Sequence, residues 1–496
     1  MTAYIRRYLL VHGAYLVVVL SLLAWYGLTP GQALARFDGQ HYLQIASTGY
    51  VDKLTFLTDG KPARMNIAFF PLYPLLMAAL HAVTRLPMEI AGLVLSLAAS
   101  LATAIGLGVL LEPLFGRRTA LWTVTIWAVG VDAIVQSMLY AQPLIAAFAV
   151  WGAIAIRRRK PLLGAVCAIG AGLSHSTGLG LIVVVMAGSA LMIREAARKK
   201  QWRATFAPAA AFVLAPMGLV GYIAFLAVRF HRLDAWFLAE SAPGWSSEFD
   251  FGKYSARTVF GQLDSTDWFA PNGVPHLVAS LWILPGVGIM LWLLRDQGWW
   301  PKRLRRFRRT SSVAVAGASA SQSRSPSSSG ASQSPSPSSA SQSLSPLAAS
   351  QSQSQSSSSA SQSPSPSAAS ASVSLSSLAA SQSQPPSSSS SSSQSRSPSP
   401  SAAPSFSSPL EAPRPRVPWE LTLFSLVTFA VILTNSGPWG SKPRFLIPAL
   451  GLCVPPAIWL GRLDHRPRVQ RAIVLGIALV SVLCCAYLDG PSPSAL

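Results

Sequence analysis

Hydrophobic stretches of roughly 20 residues, long enough to cross a bilayer core as helices, recur along this chain between short polar breaks. The pattern predicts spans over Tyr8 to Thr29, Phe69 to Leu86, Ile90 to Leu111, Ala120 to Leu139, Leu144 to Ile156, Leu162 to Ile193, Phe206 to Phe230, His276 to Leu294, Trp419 to Thr434, Phe445 to Leu460 and Ala472 to Tyr487. That is about eleven spans. The fifth is short. The sixth is long and interrupted by Ser174-His175-Ser176-Thr177-Gly178, which predicts a broken helix or two short ones. The first runs straight into a polar motif without a small-residue cleavage site, so it reads as an anchor and not as a removable signal.

Composition agrees. Half of the 496 residues are hydrophobic and only 11% are charged, against roughly 25% in an ordinary soluble domain, and the mean hydropathy is +0.39. An all-α, multi-pass protein of the cell membrane follows. A net charge of +21 would suit a nucleic-acid partner, but the basic residues sit in clusters at span ends: Arg6 and Arg7; Arg194 to Arg203; Lys302 to Arg309; Arg462 to Arg471. Such clusters mark cytoplasmic helix ends, so the bilayer replaces nucleic acid as the partner. Nine of the 18 acidic residues fall in two segments, Pro30 to Ile67 and Leu233 to Pro275, which places both loops on the far face. Alternation from a cytoplasmic N-terminus agrees, except that it puts Arg117-Arg118 and Arg157-Arg158-Arg159-Lys160 outside, against the positive-inside tendency. Cys167, Cys453, Cys484 and Cys485 all lie within predicted spans, without His or acidic partners at a metal-site spacing.

The chain divides into a membrane block over 1–295, a basic and then Ser/Pro/Ala/Gln-rich stretch over 296–418, and a second membrane block over 419–496. Thr310 to Pro409 carries almost no large apolar side chains and cannot bury enough surface to offset its ordering entropy, so it reads as a disordered cytoplasmic linker.

Between Arg36 and Tyr50 the periodicity is helical. Asp38, His41 and Tyr42, at i, i+3 and i+4, share one face, while Phe37, Ile45 and Ala46 can lie against the membrane, as in an interfacial helix. Val51 to Met65 is polar and contains Thr-Asp-Gly turn chemistry, so it reads as a loop. Asp38 is either functional or paired with Arg36 or Arg64. Asp132 and Gln136 read as i, i+4 partners in the fourth span, serving either function or a helix–helix hydrogen bond. Trp245, Trp268 and Trp439 lie in outer loops, where they either stack on a sugar or rest at the interface. No ligand spacing supports a metal beside Asp38 and His41, and a divalent ion is left open.

Three blocks carry a resemblance: Arg36-Phe37-Asp38 with His41-Tyr42, Ile45-Ala46 and Gly49-Tyr50; Ala68-Phe69-Phe70-Pro71-Leu72-Tyr73-Pro74-Leu75; and Ser441-Lys442-Pro443-Arg444-Phe445. They resemble the PIG-V-like mannosyltransferases, multi-spanning glycosyltransferases of the GT-C type that use lipid-phosphate sugars. The resemblance is specific over Arg36 to Leu76, and elsewhere rests mainly on hydropathy. It implies a GT-C-like helical bundle with interfacial helices in the first external loop and a catalytic acid at Asp38. Phe37 stands where the family usually has Trp, Gln142 where an acid is expected, and His175 where an Arg is expected.

Transfer of a sugar from a polyprenyl phosphate needs one base for the acceptor hydroxyl and cationic or hydrogen-bonding groups for the leaving phosphate. Asp38 is the candidate base. Arg444, Lys442, Arg36 and Arg64 are candidates for the phosphate, with Arg444 first because guanidinium grips phosphate in a bidentate way. His41, Tyr42, His175 and Gln142 complete the candidate substrate-binding set. The implied activity moves mannose, or a related hexose, from polyprenyl-phosphate mannose to a glycolipid, polysaccharide or protein acceptor at the outer face of a bacterial cytoplasmic membrane, with the lipid-phosphate sugar as donor substrate and a divalent metal left open. The alternatives are a transporter or flippase of lipid-linked sugars, with Asp132 and His175 as a proton relay, and an inactive relative.

Overall fold

The computed structural model describes residues 1–130, 132–264, 274–299 and 415–489, which form helices joined by loops, with two isolated bridges, Phe56 to Pro62 and Phe249 to Asn435. The expected linker over Thr310 to Pro409, the basic cluster from Lys302 to Arg309, and Asp267 and Trp268 lie outside the described residues. The described parts of 1–312 and 413–496 pack as one unit.

Five helices among the described residues are long and apolar enough to cross a membrane: Thr2–Trp25, Met88–Val129, Ser176–Arg198, Trp202–Phe230 and Pro467–Cys485. The pair Trp439–Leu446 and Leu450–Arg462, bent by 78°, makes a sixth if it counts as one. Length and composition therefore support fewer crossings than the sequence pattern suggests, because breaks divide several of the apolar stretches. The second predicted span forms only a 13-residue helix, α4 (Leu72–Thr84), which at 1.5 Å per residue reaches roughly 20 Å across a core of about 30 Å. The third and fourth merge into α5 (Met88–Val129), broken at Gly116, where φ 80° and ψ 159° suit only a residue without a Cβ. The sixth forms two helices, α7 (Pro161–Gly172) and α8 (Leu179–Arg198), parted by the polar turn that interrupts the pattern. The remaining helices are α1 (Thr2–Trp25), α2 (Pro30–Leu34), α3 (Asp38–Thr48), α6 (Gln142–Arg157), α9 (Phe206–Leu214), α10 (Met217–Phe230), α11 (Ala235–Glu240), α12 (Lys253–Asp264), α13 (Val274–Asp296), α14 (Trp419–Leu433), α15 (Val454–Arg462) and α16 (Pro467–Asp489).

The end of α5 corrects one expectation. The helix stops at Val129, Asp132 takes a left-handed conformation with φ 43°, and Ala133–Ser137 is a 3-10 turn, so Asp132 and Gln136 are not partners on one α-helical face. Irregular backbone is tolerated inside a membrane protein only where neighbouring groups satisfy it, and here they do. Ser96 donates to the Met138 carbonyl at 2.8 Å, Ser100 to that of Gln136 at 3.1 Å, and Gln136 Nε2 to that of Trp127 at 2.7 Å. His12 of α1 bridges the Ala128 carbonyl and Ser137 Oγ, each at 2.8 Å. The segment then delivers Leu139 N to the Leu34 carbonyl at 3.0 Å and points Tyr140 toward the last third of the chain. Close helix contacts rest on small residues, as expected where lipid removes the hydrophobic drive between helices. A Cβ on Gly172, for instance, would lie 2.8 Å from the Leu219 backbone nitrogen.

Ion pairs sort the polar residues to opposite ends of the bundle. Arg118 pairs with Asp464, Arg157 with Glu420, and Arg159 and Lys199 with Glu195, while Tyr4 donates to Glu112. The clusters at 117–118 and 157–160, which alternation placed apart from the others, thus share an end with those at 194–203 and 462–471. At the other end the two acidic loops meet, Arg64 of the first donating to the Pro243 carbonyl of the second at 2.9 Å. Arg229 pairs with Asp52 at 2.7 Å, Tyr222 donates to the Ile67 and Phe69 carbonyls, and Asp250 N donates to the Thr434 carbonyl at 2.9 Å.

Candidate active site

The loop after α1 is built to fix one carboxylate. Thr29 and Gln32 form a capping box around Pro30, the sequence device that starts a helix cleanly, so α2 follows at once. Phe37 then turns the chain with φ 54° and ψ −122°, a strain on the order of 1–3 kcal/mol for a residue with a Cβ. Asp38 is the first residue of α3, where the helix dipole favours a negative charge. Gly39 lets this turn approach the break after α5, since a Cβ there would lie 3.2 Å from that of Leu139.

Arg444, from the 3-10 turn Trp439–Leu446, meets this carboxylate. Its Nη2 lies 3.2 Å from Asp38 Oδ2 and 3.4 Å from Oδ1, and its Nη1 donates to the Tyr140 hydroxyl at 3.3 Å. The guanidinium also sits over the Tyr140 and Phe445 rings, 5.6 and 5.0 Å from their centroids. The Asp38 and Arg444 side chains keep 14% and 20% of their surface exposed, so solvent reaches the pair.

His41, one turn along α3, stacks on Phe69 at 4.6 Å and meets Trp245 edge-on at 5.5 Å. Burial lowers its pKa, Asp38 opposes this, and Arg64 adds to it. Tyr42 is buried against Phe69 and Tyr73 and acts as packing behind the site. Arg64 donates to the Pro243 carbonyl at 2.9 Å and occupies the space beside Gly244, whose φ of 94° and missing Cβ both matter there; it clamps one acidic loop to the other. Arg36 lies over the Phe37 ring. His175 packs on Phe445 at 5.2 Å, with its Nδ1 accepting from Thr177 N, and so sits behind Arg444. Gln142 is buried, and its Oε1 has no hydrogen-bond partner among the described residues.

Lys442, by contrast, is turned inward. Its ammonium donates to Ser255 Oγ and to the Ile432 and Asn435 carbonyls and faces the Tyr254 and Trp439 rings, so its donors are committed within the protein. Asp38 and Arg444 are therefore the charged candidates that the fold brings together. Among the described residues no group of three His, Cys, Asp or Glu side chains is placed to hold a metal ion.

No family model matches this chain, and no curated protein or solved structure is significantly similar to it. The resemblance to PIG-V-like enzymes thus stands on its motif residues alone.

Two residues that the sequence did not single out belong to the site. Tyr140 anchors Arg444, and its only sequence signal is the polar break in which it lies. Glu240, at the end of α11, has its pKa raised from 4.5 to about 7 by burial and by the charge of Asp38, against a hydrogen bond from Ser247 and the charge of Arg444. A raised carboxyl is protonated in the fold at a pH where the unfolded chain has already released its proton, so its contribution to stability falls as pH rises from 4.5 through about 7. Glu240→Gln is accordingly expected to unfold at a higher temperature than wild type above pH 7, with the advantage vanishing below pH 4.5. A difference independent of pH in thermal unfolding would refute this assignment.

Proposed function

We propose that this chain is an integral membrane glycosyltransferase that moves mannose, or a related hexose, from a polyprenyl-phosphate donor to an acceptor hydroxyl at the outer face of the cell membrane. The observation that carries the reading is the accessible Asp38–Arg444 pair. In this reading Asp38 takes the acceptor proton as the acceptor oxygen bonds to the anomeric carbon and the bond from that carbon to the phosphate oxygen breaks. The electron pair leaves with the polyprenyl phosphate, which needs no general acid. Arg444 holds the charge that grows there. His41, one turn along α3 from Asp38, packs with Phe69 and Trp245 in an aromatic cluster to which a sugar ring is assigned in this reading.

The sorting of charge to the two ends supports a membrane topology as well. If α4 stays at the outer end, α5 crosses twice around Gly116, and α7 and α8 cross separately, about eleven crossings result and every basic cluster named above faces the cytoplasm. The Asp38–Arg444 pair then faces outward.

Membranes containing the protein are expected to consume labelled polyprenyl-phosphate mannose, release polyprenyl phosphate and form a mannosylated product, above membranes lacking it. No consumption of this or any related hexose donor sinks the reading.

A further inference from the structure

We infer that Arg444 is a switch with two mutually exclusive partners, the Asp38 carboxylate in the empty site and the phosphate of a lipid donor in the loaded one, so that donor binding frees the base. The inference rests on the reading above and adds to it an order of events.

Three features of the pair carry it. The contact is loose: Nη2 stands 3.2 and 3.4 Å from the two carboxylate oxygens, whereas a tight charge-assisted bond runs at about 2.7–2.9 Å. A phosphate oxygen therefore displaces a weakened bond and not a strong one. The pair is also reachable, with 14% and 20% of its side-chain surface exposed. Arg444, finally, does not depend on Asp38 for its position. Its Nη1 donates to the buried Tyr140, and the guanidinium lies over the Tyr140 and Phe445 rings. Those contacts hold the cation in place while Nη2 changes partner.

The chemistry gives the exchange a direction. In the structure Arg444 Nη2 faces both Asp38 oxygens, so the carboxylate that must accept a hydroxyl proton already has a cation beside it. A sugar phosphodiester brings one negative charge to Arg444. When the bond to the anomeric carbon breaks, the phosphate gains a second charge, and Arg444 is drawn further toward it and away from Asp38. The interaction thus grows toward the transition state, which is the condition for speeding the reaction and not merely binding the donor. An acceptor that enters first meets an engaged base.

The test is chemical labelling of Asp38 in the full-length protein in lipid nanodiscs, using a water-soluble carbodiimide with an amine, read by mass spectrometry. Wild type is expected to label weakly alone and about fivefold or more with polyprenyl phosphate, as the competing cation is withdrawn; polyprenol, which lacks the phosphate, is expected to change nothing. Arg444→Gln is expected to label strongly with or without the lipid. Labelling that stays flat or falls when polyprenyl phosphate is added to wild type overturns the switch, as does an equal rise with polyprenol. The wild-type comparison stands even if the variant fails to fold. Because the readout is labelling and not sugar transfer, an inactive protein that still shows the phosphate-dependent rise would reject the transferase reading while keeping the exchange.

Discussion

Asp38→Asn is expected to lower sugar transfer by about 10²–10⁴-fold, the usual range for removing a positioned general base. The amide keeps the shape of the carboxylate and its place at the first turn of α3, but it neither accepts a proton nor balances Arg444. Because both side chains keep some access to solvent, the unpaired guanidinium can be hydrated and the cost in stability stays small. The variant should therefore insert, elute as a single species in detergent and bind donor while failing to turn it over. Initial rates with labelled donor, set beside a size-exclusion profile, check this. Full retention of transfer in a well-folded Asp38→Asn protein assigns the base elsewhere.

Arg444→Ala is expected to cost on the order of 10²–10³-fold in kcat/KM, as for loss of one donor to a developing oxyanion. The loss should include a raised KM for the donor as well as a lowered kcat, because the phosphate is bound in the ground state too. Arg444→Lys should recover only part of it. A lysine restores the charge but not the planar fork, which here reaches Asp38 with one nitrogen and Tyr140 with the other. Steady-state kinetics on the three proteins decide the matter. An alanine variant with unchanged donor KM and kcat removes Arg444 from the phosphate site.

Much of the local structure was legible in the sequence. The helical spacing of polar and apolar residues from Arg36 to Tyr50 predicts a helix, and α3 occupies 38–48. The Ser174-to-Gly178 interruption marks the break between α7 and α8, and Arg444, singled out in the sequence, is the cation that meets Asp38. What could not be read was how apolar stretches are divided. Hydropathy registers Leu72 to Thr84 and Ala120 to Leu139 as span material, yet whether an apolar segment is one helix depends on partners far away. The break at 130–140 exists because Ser96, Ser100 and His12 satisfy its carbonyls. Long-range pairing also separates Lys442 from Arg444. They are two residues apart and both cationic, but one is held inside by Ser255 and backbone carbonyls while the other reaches Asp38. Glu240 carries no local signal and Tyr140 only the break in which it lies, for the same reason, since their roles come from what the fold sets opposite them.

The two members of the central ion pair are separated by 406 positions along the chain. At synthesis rates of about 5–20 residues per second, roughly 20–80 s pass between the appearance of the carboxylate and that of its cation. Throughout that interval the nascent chain already contains Asp38, yet it lacks Arg444, the cation that the fold sets against it. The proposed site is thus completed only when the closing helices are made, because the described part of 413–496 belongs to the same packed unit as the N-terminal part.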